Sequence, residues 1–173
     1  MKLRIYTWPE NILKKKCKVV DKVDNGIRQM LSAMTTLMKV SGGIGLAANQ
    51  AGLDLRLVVI ESNDRLFKLV NPSIVKKEGS ISFCEGCLSF PGLELRIKRA
   101  KRVWVSALDE NGEPLDLEAE GLLAVIFQHE LDHINGIPFI YRISLFQKFK
   151  SYFQLQSIMW RTKNGMHKQA KKY

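Results

Sequence analysis

Residues 129–133 read His-Glu-Leu-Asp-His, a spacing typical of a metal site on a helix. Positions i and i+4 lie one turn apart on the same helical face, so the imidazoles of His129 and His133 can reach one ion. A carboxylate beside that ion, here Glu130, can take a proton from water. The pattern uses two of the three histidines in the chain. It predicts a divalent metal site on this helix.

A catalytic metal site usually has three protein ligands and an open position for water, so a further ligand is needed. The third histidine of one common protease pattern would fall at position 139, which is Phe139. A downstream carboxylate is excluded because no Asp or Glu follows His133. We expect His167, in the basic tail, to be exposed rather than a ligand. The third ligand is therefore predicted to lie upstream.

Two thiols lie upstream in residues 84–89, which read Cys-Glu-Gly-Cys-Leu-Ser. Thiolate is a strong ligand for zinc and ferrous iron. If Cys84 and Cys87 both bind, the site is a closed structural site with four ligands; if one binds, water keeps the fourth position. The spacing leaves both alternatives open. Glu130 favours the open site, because a structural site does not need a carboxylate beside a bound water.

Apolar periodicity predicts the helices that position these residues. Residues 122–134 have the length and periodicity of a buried helix, which Asn135 and Gly136 end. An earlier helix is predicted to begin at Asp24 and Asn25, which are plausible caps. Its apolar residues recur at helical spacing and are predicted to face the core: Ile27, Met30, Leu31, Met34, Leu37 and Met38.

Strands are predicted to dominate the middle of the chain. Residues 56–61 and 66–70 are rich in apolar residues, and the stretch 101–108 alternates between polar and apolar side chains. The Asp-Glu-Asn-Gly sequence at 109–112 is a strong turn signal. We therefore expect 101–108 and 114–119 to pair as an antiparallel hairpin.

Length and composition indicate one domain without a disulfide framework: 173 residues, 46% of them hydrophobic, and three cysteines. We predict a single domain over residues 1–173, with a catalytic core at 1–144 and a basic tail at 145–173, helical at roughly 145–163. The tail holds +7 of the net charge of +10. No signal region or membrane-spanning run is recognisable, so we expect a cytoplasmic protein.

Three segments, in this order, resemble the peptide deformylase family: 43–50 (Gly-Ile-Gly-Leu-Ala-Ala-Asn-Gln), 85–89 (Glu-Gly-Cys-Leu-Ser) and 128–133 (Gln-His-Glu-Leu-Asp-His). The resemblance extends over nearly all of residues 1–144. It implies an α+β fold in which antiparallel β-sheets surround the helix with the HExxH motif, followed by a C-terminal helix. It also implies a metal-dependent hydrolase that removes the N-formyl group from the N-terminal methionine of newly synthesised polypeptides, releasing formate.

The resemblance also implies roles for particular residues. The metal ligands would be Cys87, His129 and His133, with Cys84 outside the site. Glu130 would move the protons. The Gln50 side-chain amide and the Leu88 backbone N–H would stabilise the oxyanion.

Substrate contacts follow from the same resemblance. Gly43 and Gly45 would let the backbone approach the peptide, with Ile44 and Gly86 as main-chain partners. The methionine side chain would enter an apolar pocket near Ile44, Val125 and His129. One divalent ion is expected, with Fe²⁺ first by resemblance and Zn²⁺, Ni²⁺ or Co²⁺ as alternatives.

The tail at 145–173 allows two interpretations. As a basic amphipathic helix it would contact ribosomal RNA, as the resemblance suggests, or an anionic membrane surface. Alternatively it is a solvated helix whose Phe residues pack on the domain.

Two rival functions use the same residues. An endopeptidase would cleave internal bonds of unformylated peptides with the same metal chemistry. A zinc-stabilised RNA-binding module would bind both cysteines and unfold when the metal is removed.

Overall fold

The computed structural model describes residues 2–164. Its helices are α1 (Asn25–Val40), α2 (Leu122–Ile134), α3 (Leu145–Lys150) and α4 (Tyr152–Lys163). Its strands are β1 (Gly45–Ala47), β2 (Leu57–Ser62), β3 (Arg65–Glu78), β4 (Ile81–Gly86), β5 (Glu94–Arg99), β6 (Arg102–Leu108) and β7 (Pro114–Glu120). This arrangement is the predicted α+β fold with antiparallel sheets.

The first predicted helix is confirmed as α1. The Asp24 side chain caps it by accepting a hydrogen bond of 2.9 Å from the Ile27 backbone N–H. Four of its apolar residues are buried, as the helical spacing predicts: Ile27, Leu31, Met34 and Met38. They pack on one face of the main sheet through Leu46, Leu57 and Val59.

The main sheet has five strands in the order β1-β2-β3-β6-β7, and each neighbouring pair is antiparallel. The predicted hairpin is confirmed as β6 and β7, with Arg102 opposite Glu120 at one end and Leu108 opposite Pro114 at the other. The predicted strands 56–61 and 66–70 are β2 and the first half of β3. β3 continues to Glu78 past Pro72, and its pairing with β6 shifts register there.

Three strands were not predicted from the sequence: β1, β4 and β5. β4 and β5 form a separate two-stranded antiparallel sheet, from Ile81 opposite Arg99 to Gly86 opposite Glu94. On β5, Leu95 and Ile97 point inward and pack in a cluster that includes Phe90 and Phe139. The next inward residue is Arg99, so a buried charge interrupts the apolar alternation.

Helix α2 has the predicted bounds and lies at the centre of the molecule. Each of residues 124–134 is buried, polar ones included. Phe127 and Leu131 pack on the inner face of the main sheet, where the rings of Phe67 and Phe127 lie 5.7 Å apart. The helix ends before Gly136, whose φ of +73° and close approach to the Lys14 carbonyl favour glycine. His129, Glu130 and His133 are therefore held on a helix that the core surrounds.

The tail differs from the single helix predicted for 145–163. It forms α3 and α4, separated at the buried residue Ser151. The expectation that the Phe residues pack on the domain is wrong, because Phe146, Phe149 and Phe153 are 67%, 79% and 82% exposed. The tail is instead attached through Ile158 and the partly buried Leu155.

His167 and the rest of the predicted tail beyond residue 164 lie outside the described residues. Within residues 2–164, no helix combines the length and apolar character needed to cross a membrane.

Candidate metal centre

The ligand atoms of the three predicted metal-binding residues lie close together. The Cys87 Sγ lies 3.2 Å from the His133 Nε2, which lies 3.2 Å from the His129 Nε2. All three atoms lie within 4.8 Å of one another. Helix α2 presents both imidazoles from one face, and Cys87 follows directly after β4. The structure therefore brings together one sulfur and two nitrogens, a donor set that suits zinc or ferrous iron.

Cys84 does not belong to this group. It is exposed on β4, and its nearest polar partner is the Glu94 carboxylate, 3.8 Å from its Sγ. The candidate ligand group in residues 2–164 contains Cys87 but not Cys84. The closed site with two cysteine ligands is therefore not formed by the described residues.

A buried carboxylate orients one of the two imidazoles. The Glu85 Oε2 lies 2.8 Å from the His129 Nδ1, so the opposite ring nitrogen, Nε2, faces Cys87 and His133. This contact is the usual way in which a protein fixes the ring of a metal-binding histidine. His133 is held through its backbone instead, because its carbonyl accepts a hydrogen bond of 2.5 Å from the Asn49 side chain.

Glu85 is itself held by a buried arginine. Arg99 donates to both Glu85 oxygens at 2.7 and 2.8 Å and to Asp132 at 2.5 Å. Arg142 contacts the same Asp132 carboxylate from the exposed side. Buried charges of this kind are tolerated when they are paired and hydrogen-bonded. A continuous chain of ion pairs thus runs from Arg142 to His129.

This chain of ion pairs is not predicted by the sequence motifs. Glu85 lies in a segment that resembles the family without a predicted role, and Arg99 lies outside all three segments. The alternation of β5 carried a signal, because Arg99 occupies an inward position after Leu95 and Ile97. A charged residue at such a position needs a buried partner of opposite charge.

The ionisation of these groups favours a positive charge between Cys87 and the imidazoles. Burial opposes the charged form of His129, but contacts with Cys87 and Glu85 raise its pKa well above the ordinary value. Burial, together with repulsion from His129 and Arg99, lowers the pKa of His133 well below it. Neutral His133 is in the form that binds metal. The arrangement therefore fits a bound cation.

Glu130 directly follows the ligand His129 on α2 and has one carboxylate oxygen without a partner among the described residues. It is 4% exposed, and its Oε2 is buried without a hydrogen-bond partner in the described part of the chain. Burial, with a smaller contribution from the charge of Glu85, raises the pKa of Glu130 to about 7. A buried carboxylate with an unpaired oxygen and a pKa near neutrality is suited to accept and return a proton.

Glycine is required opposite Glu130. A Cβ on Gly45 would overlap the Glu130 carboxylate, and a Cβ on Gly43 would lie 2.7 Å from the Leu88 side chain. Neither residue has a positive φ, so close packing rather than turn geometry explains these two glycines. The sequence-based expectation assigned them to backbone contact with a peptide. The structure shows a contact within the protein as well.

The two predicted oxyanion donors lie next to Cys87. The Gln50 Nε2 lies 3.5 Å from the Cys87 Sγ and 3.2 Å from the Ser89 Oγ, while its Oε1 accepts from the Ala47 backbone N–H at 2.9 Å. That last contact orients the amide with its N–H groups toward the site. The Gln50 amide therefore already donates toward Cys87 and Ser89, whereas the Leu88 backbone N–H has no acceptor in the described part of the chain.

The predicted substrate-binding residues lie in or next to β1, at the end of β4 and on α2. Gly45 lies on β1, which is an edge strand of the main sheet, and Gly86 ends β4. The Ile44 side chain is 53% exposed, whereas Val125 is buried one turn before His129 on α2.

Comparison with known proteins gives one consistent result. The family model for polypeptide deformylase matches residues 2–149. A peptide deformylase of Aquifex aeolicus is 39% identical over 161 residues, covering 90% of this chain and 95% of the relative. One of Thermodesulfovibrio yellowstonii is 43% identical over 147 residues, covering 82% of this chain and 89% of the relative. The crystal structure of a peptide deformylase from Legionella pneumophila superposes with a TM-score of 0.86 at 36% identity, covering 94% of this chain and 98% of that one.

The first prediction concerns the metal ligands. Cys87→Ser should retain less than about a tenth of the bound metal, because a serine hydroxyl is a much poorer ligand than a thiolate. Cys84→Ser, a matched control three residues away, should retain the metal content of the parent. Elemental analysis of both purified variants measures this. Equal metal loss in the two variants would show that the closed site forms.

The second prediction concerns Glu130 in the metal-stripped protein. Its pKa is about 7 in the folded protein against 4.5 for an ordinary glutamate, so the folded state holds the proton more tightly. Stability from this group is present below about pH 4.5 and is lost as the pH rises through about 7. Glu130→Gln keeps a neutral side chain at every pH. Its stability relative to the parent should increase by about 2 kcal/mol between about pH 5 and about pH 8.

Urea denaturation of both metal-stripped proteins at the two pH values measures this difference. The charge of Glu130 also raises the pKa of His129, so the measured difference contains Glu130 and its coupling to His129. A difference that does not change with pH would contradict the raised pKa.

Proposed function

This chain belongs to the peptide deformylase family of metal-dependent hydrolases, and we propose that Cys87, His129 and His133 hold its metal ion while Glu130 moves the protons. The reaction is removal of the N-formyl group from the N-terminal methionine of newly synthesised polypeptides, with release of formate. The observations that carry the proposed roles are the three converging ligand atoms and the buried, unpaired Oε2 of Glu130, the residue next to His129 on α2.

The ion would supply Lewis acidity, which can lower the pKa of a water from about 15.7 to about 7. Glu130 would take the proton of the attacking water at Oε2. As the bond between the formyl carbon and the amide nitrogen breaks, it would return that proton to the leaving nitrogen. The raised pKa of Glu130 supports both transfers, because the group gains and loses its proton near neutral pH. The products are formate and a free amino terminus.

The oxyanion that forms on the formyl oxygen requires donors. The Gln50 Nε2 and the Leu88 N–H are proposed for this task, since both lie beside Cys87. The amide of Gln50 is fixed by its contact with Ala47, so little reorganisation is needed.

The peptide would bind alongside β1 as an added strand. β1 has β2 as a neighbour on one side, where the Ile44 carbonyl accepts from the Glu61 backbone N–H at 2.8 Å. Its other edge is proposed to contact the peptide main chain at Gly45, next to Ile44. Gly86 would contact the peptide from the end of β4. The methionine side chain is proposed to lie near Ile44, Val125 and His129.

We propose Fe²⁺ as the native ion, with Zn²⁺, Ni²⁺ and Co²⁺ as alternatives. A thiolate and two imidazoles suit zinc and ferrous iron. Iron is ranked first by family resemblance.

We also propose that the tail contacts the ribosome and that the protein acts in the cytoplasm. The described part of the tail exposes apolar residues next to positive charges: Leu145, Phe146, Phe149, Tyr152, Phe153 and Trp160 beside Lys148, Lys150, Arg161 and Lys163. Ribosomal RNA near the exit of new chains offers the complementary negative charge. The division of the chain into a core at 1–144 and a tail at 145–173 remains a prediction.

The main test is formate release from a formyl-methionine peptide. Glu130→Gln should lower kcat by about a hundredfold to ten-thousandfold, the usual contribution of a general acid and base. Its metal content should equal that of the parent, because Glu130 is not a ligand. Full activity in the Gln variant with metal bound would disprove the proposed role of Glu130.

The tail proposal is tested by charge reversal. Lys148→Glu/Lys150→Glu should weaken cosedimentation with ribosomes by about tenfold or more, because phosphate contacts dominate binding to RNA. The control is Lys16→Glu/Lys22→Glu, which changes the net charge equally at exposed positions distant in sequence from the tail. An equal effect of both pairs would show general attraction rather than contact through the tail.

A further inference from the structure

A cavity lies away from the metal centre, between the C-terminal half of α2, β3 and the β4–β5 hairpin. Its volume is about 800 Å³. None of the three candidate ligands or Glu130 lines it. The polar residues that matter for its chemistry are Arg56, Lys77, Ser80, Lys98, Asp132 and Arg142.

The lining of this cavity is strongly basic. Asp132 is its acidic residue, and that carboxylate is already bound by Arg99 and Arg142. In contrast, Lys77 and Lys98 form no ion pair within residues 2–164. Positive charges concentrated in a cleft with apolar walls produce a field that attracts anions.

Arg56 is the most constrained of these cations. Its guanidinium donates to the Asn135 side chain at 2.9 Å and to the Pro72 carbonyl at 2.8 Å, which are neutral acceptors. Burial lowers its pKa, and it has no carboxylate partner in the described part of the protein. A half-buried guanidinium held in place without a counter-charge is well prepared to bind an anion.

The pairing of β3 with β6 explains why Lys77 points into the cavity. Lys77 lies opposite Val103, which is buried on the sheet face covered by α2. Its neighbour Lys76 lies opposite Trp104 on the other face, where it pairs with Glu78 at 2.6 Å. Two adjacent lysines of equal charge therefore point to opposite sides of the sheet.

We propose that this cavity binds a phosphate-bearing ligand of nucleotide size. Arginine and lysine together are the usual partners of phosphate oxygens, and the Ser80 hydroxyl adds a neutral donor. The volume falls within the range of about 300 to 1,000 Å³ typical of sites for small organic ligands, which exceeds the size of inorganic phosphate. The apolar walls formed by Ile74, Leu131 and Ile137 suit the rest of such a ligand.

The experiment titrates the metal-loaded protein with adenosine 5′-monophosphate, adenosine and a short single-stranded RNA by calorimetry. Lys77→Ala/Lys98→Ala should weaken binding of the monophosphate by about tenfold or more, because it removes two charge-assisted contacts. The matched control, Lys76→Ala/Lys101→Ala, removes the same charge from residues outside the cavity and should leave binding unchanged. Adenosine, which lacks the phosphate, should bind much more weakly than its monophosphate.

Each outcome has a defined meaning. Binding of the RNA but not of the mononucleotide, with the same dependence on Lys77 and Lys98, supports the site and identifies RNA as the source of the phosphate. If both variant pairs weaken nucleotide binding equally, the lysines act through the net charge of the protein and not through contacts in the cavity. That result would overturn the proposal. Binding that survives Lys77→Ala/Lys98→Ala would place the phosphate elsewhere, for example at the metal, and would also overturn it, as would the absence of binding by either phosphate ligand.

Discussion

The burial of ionisable side chains on helix α2 is the constraint on which the rest of the structure depends. His129, Glu130, Asp132 and His133 are each at most 8% exposed. A core that contains four such groups is stable when their charges are compensated. Arg99 pairs with both Glu85 and Asp132, and Arg142 adds a second positive charge at Asp132. Glu85, held in this way, fixes the ring of His129.

The same burial gives the site its chemical character. Inside the protein, hydrogen bonds and charges act more strongly than they do in water. Glu130 consequently has a pKa near neutrality, and His133 remains neutral. The absence of side chains allows Gly45 on β1 to approach Glu130 closely and Gly43, just before β1, to approach Leu88. These glycines are therefore part of the packing around the site.

The sequence predicted the parts of the fold that local patterns specify. The bounds of α2, the cap of α1 and the β6–β7 hairpin each follow from periodicity and turn residues within one element. Donor types and helical spacing predicted that an upstream thiolate would meet His129 and His133, whereas the choice of Cys87 over Cys84 came from the family resemblance. β1 was missed because a strand of three residues, Gly-Leu-Ala, is too short to show an alternating pattern. β4 and β5 were missed because their inward residues include Glu85 and Arg99.

The tail shows why exposure is harder to predict than secondary structure. Its sequence mixes Phe and Lys, so helical periodicity alone does not distinguish a face that packs on the core from one that remains in water. In the structure Ser151 divides the segment, and Leu155 and Ile158 provide its attachment to the Phe90–Phe139 cluster. These two apolar side chains dock α4 together with the Thr162 hydroxyl, which donates to the Trp8 carbonyl at 2.9 Å. The aromatic residues of α3 and the start of α4 stay exposed beside the lysines. Within this short segment, some apolar residues attach the helix to the domain and others remain exposed. Only the three-dimensional packing shows which residues do which.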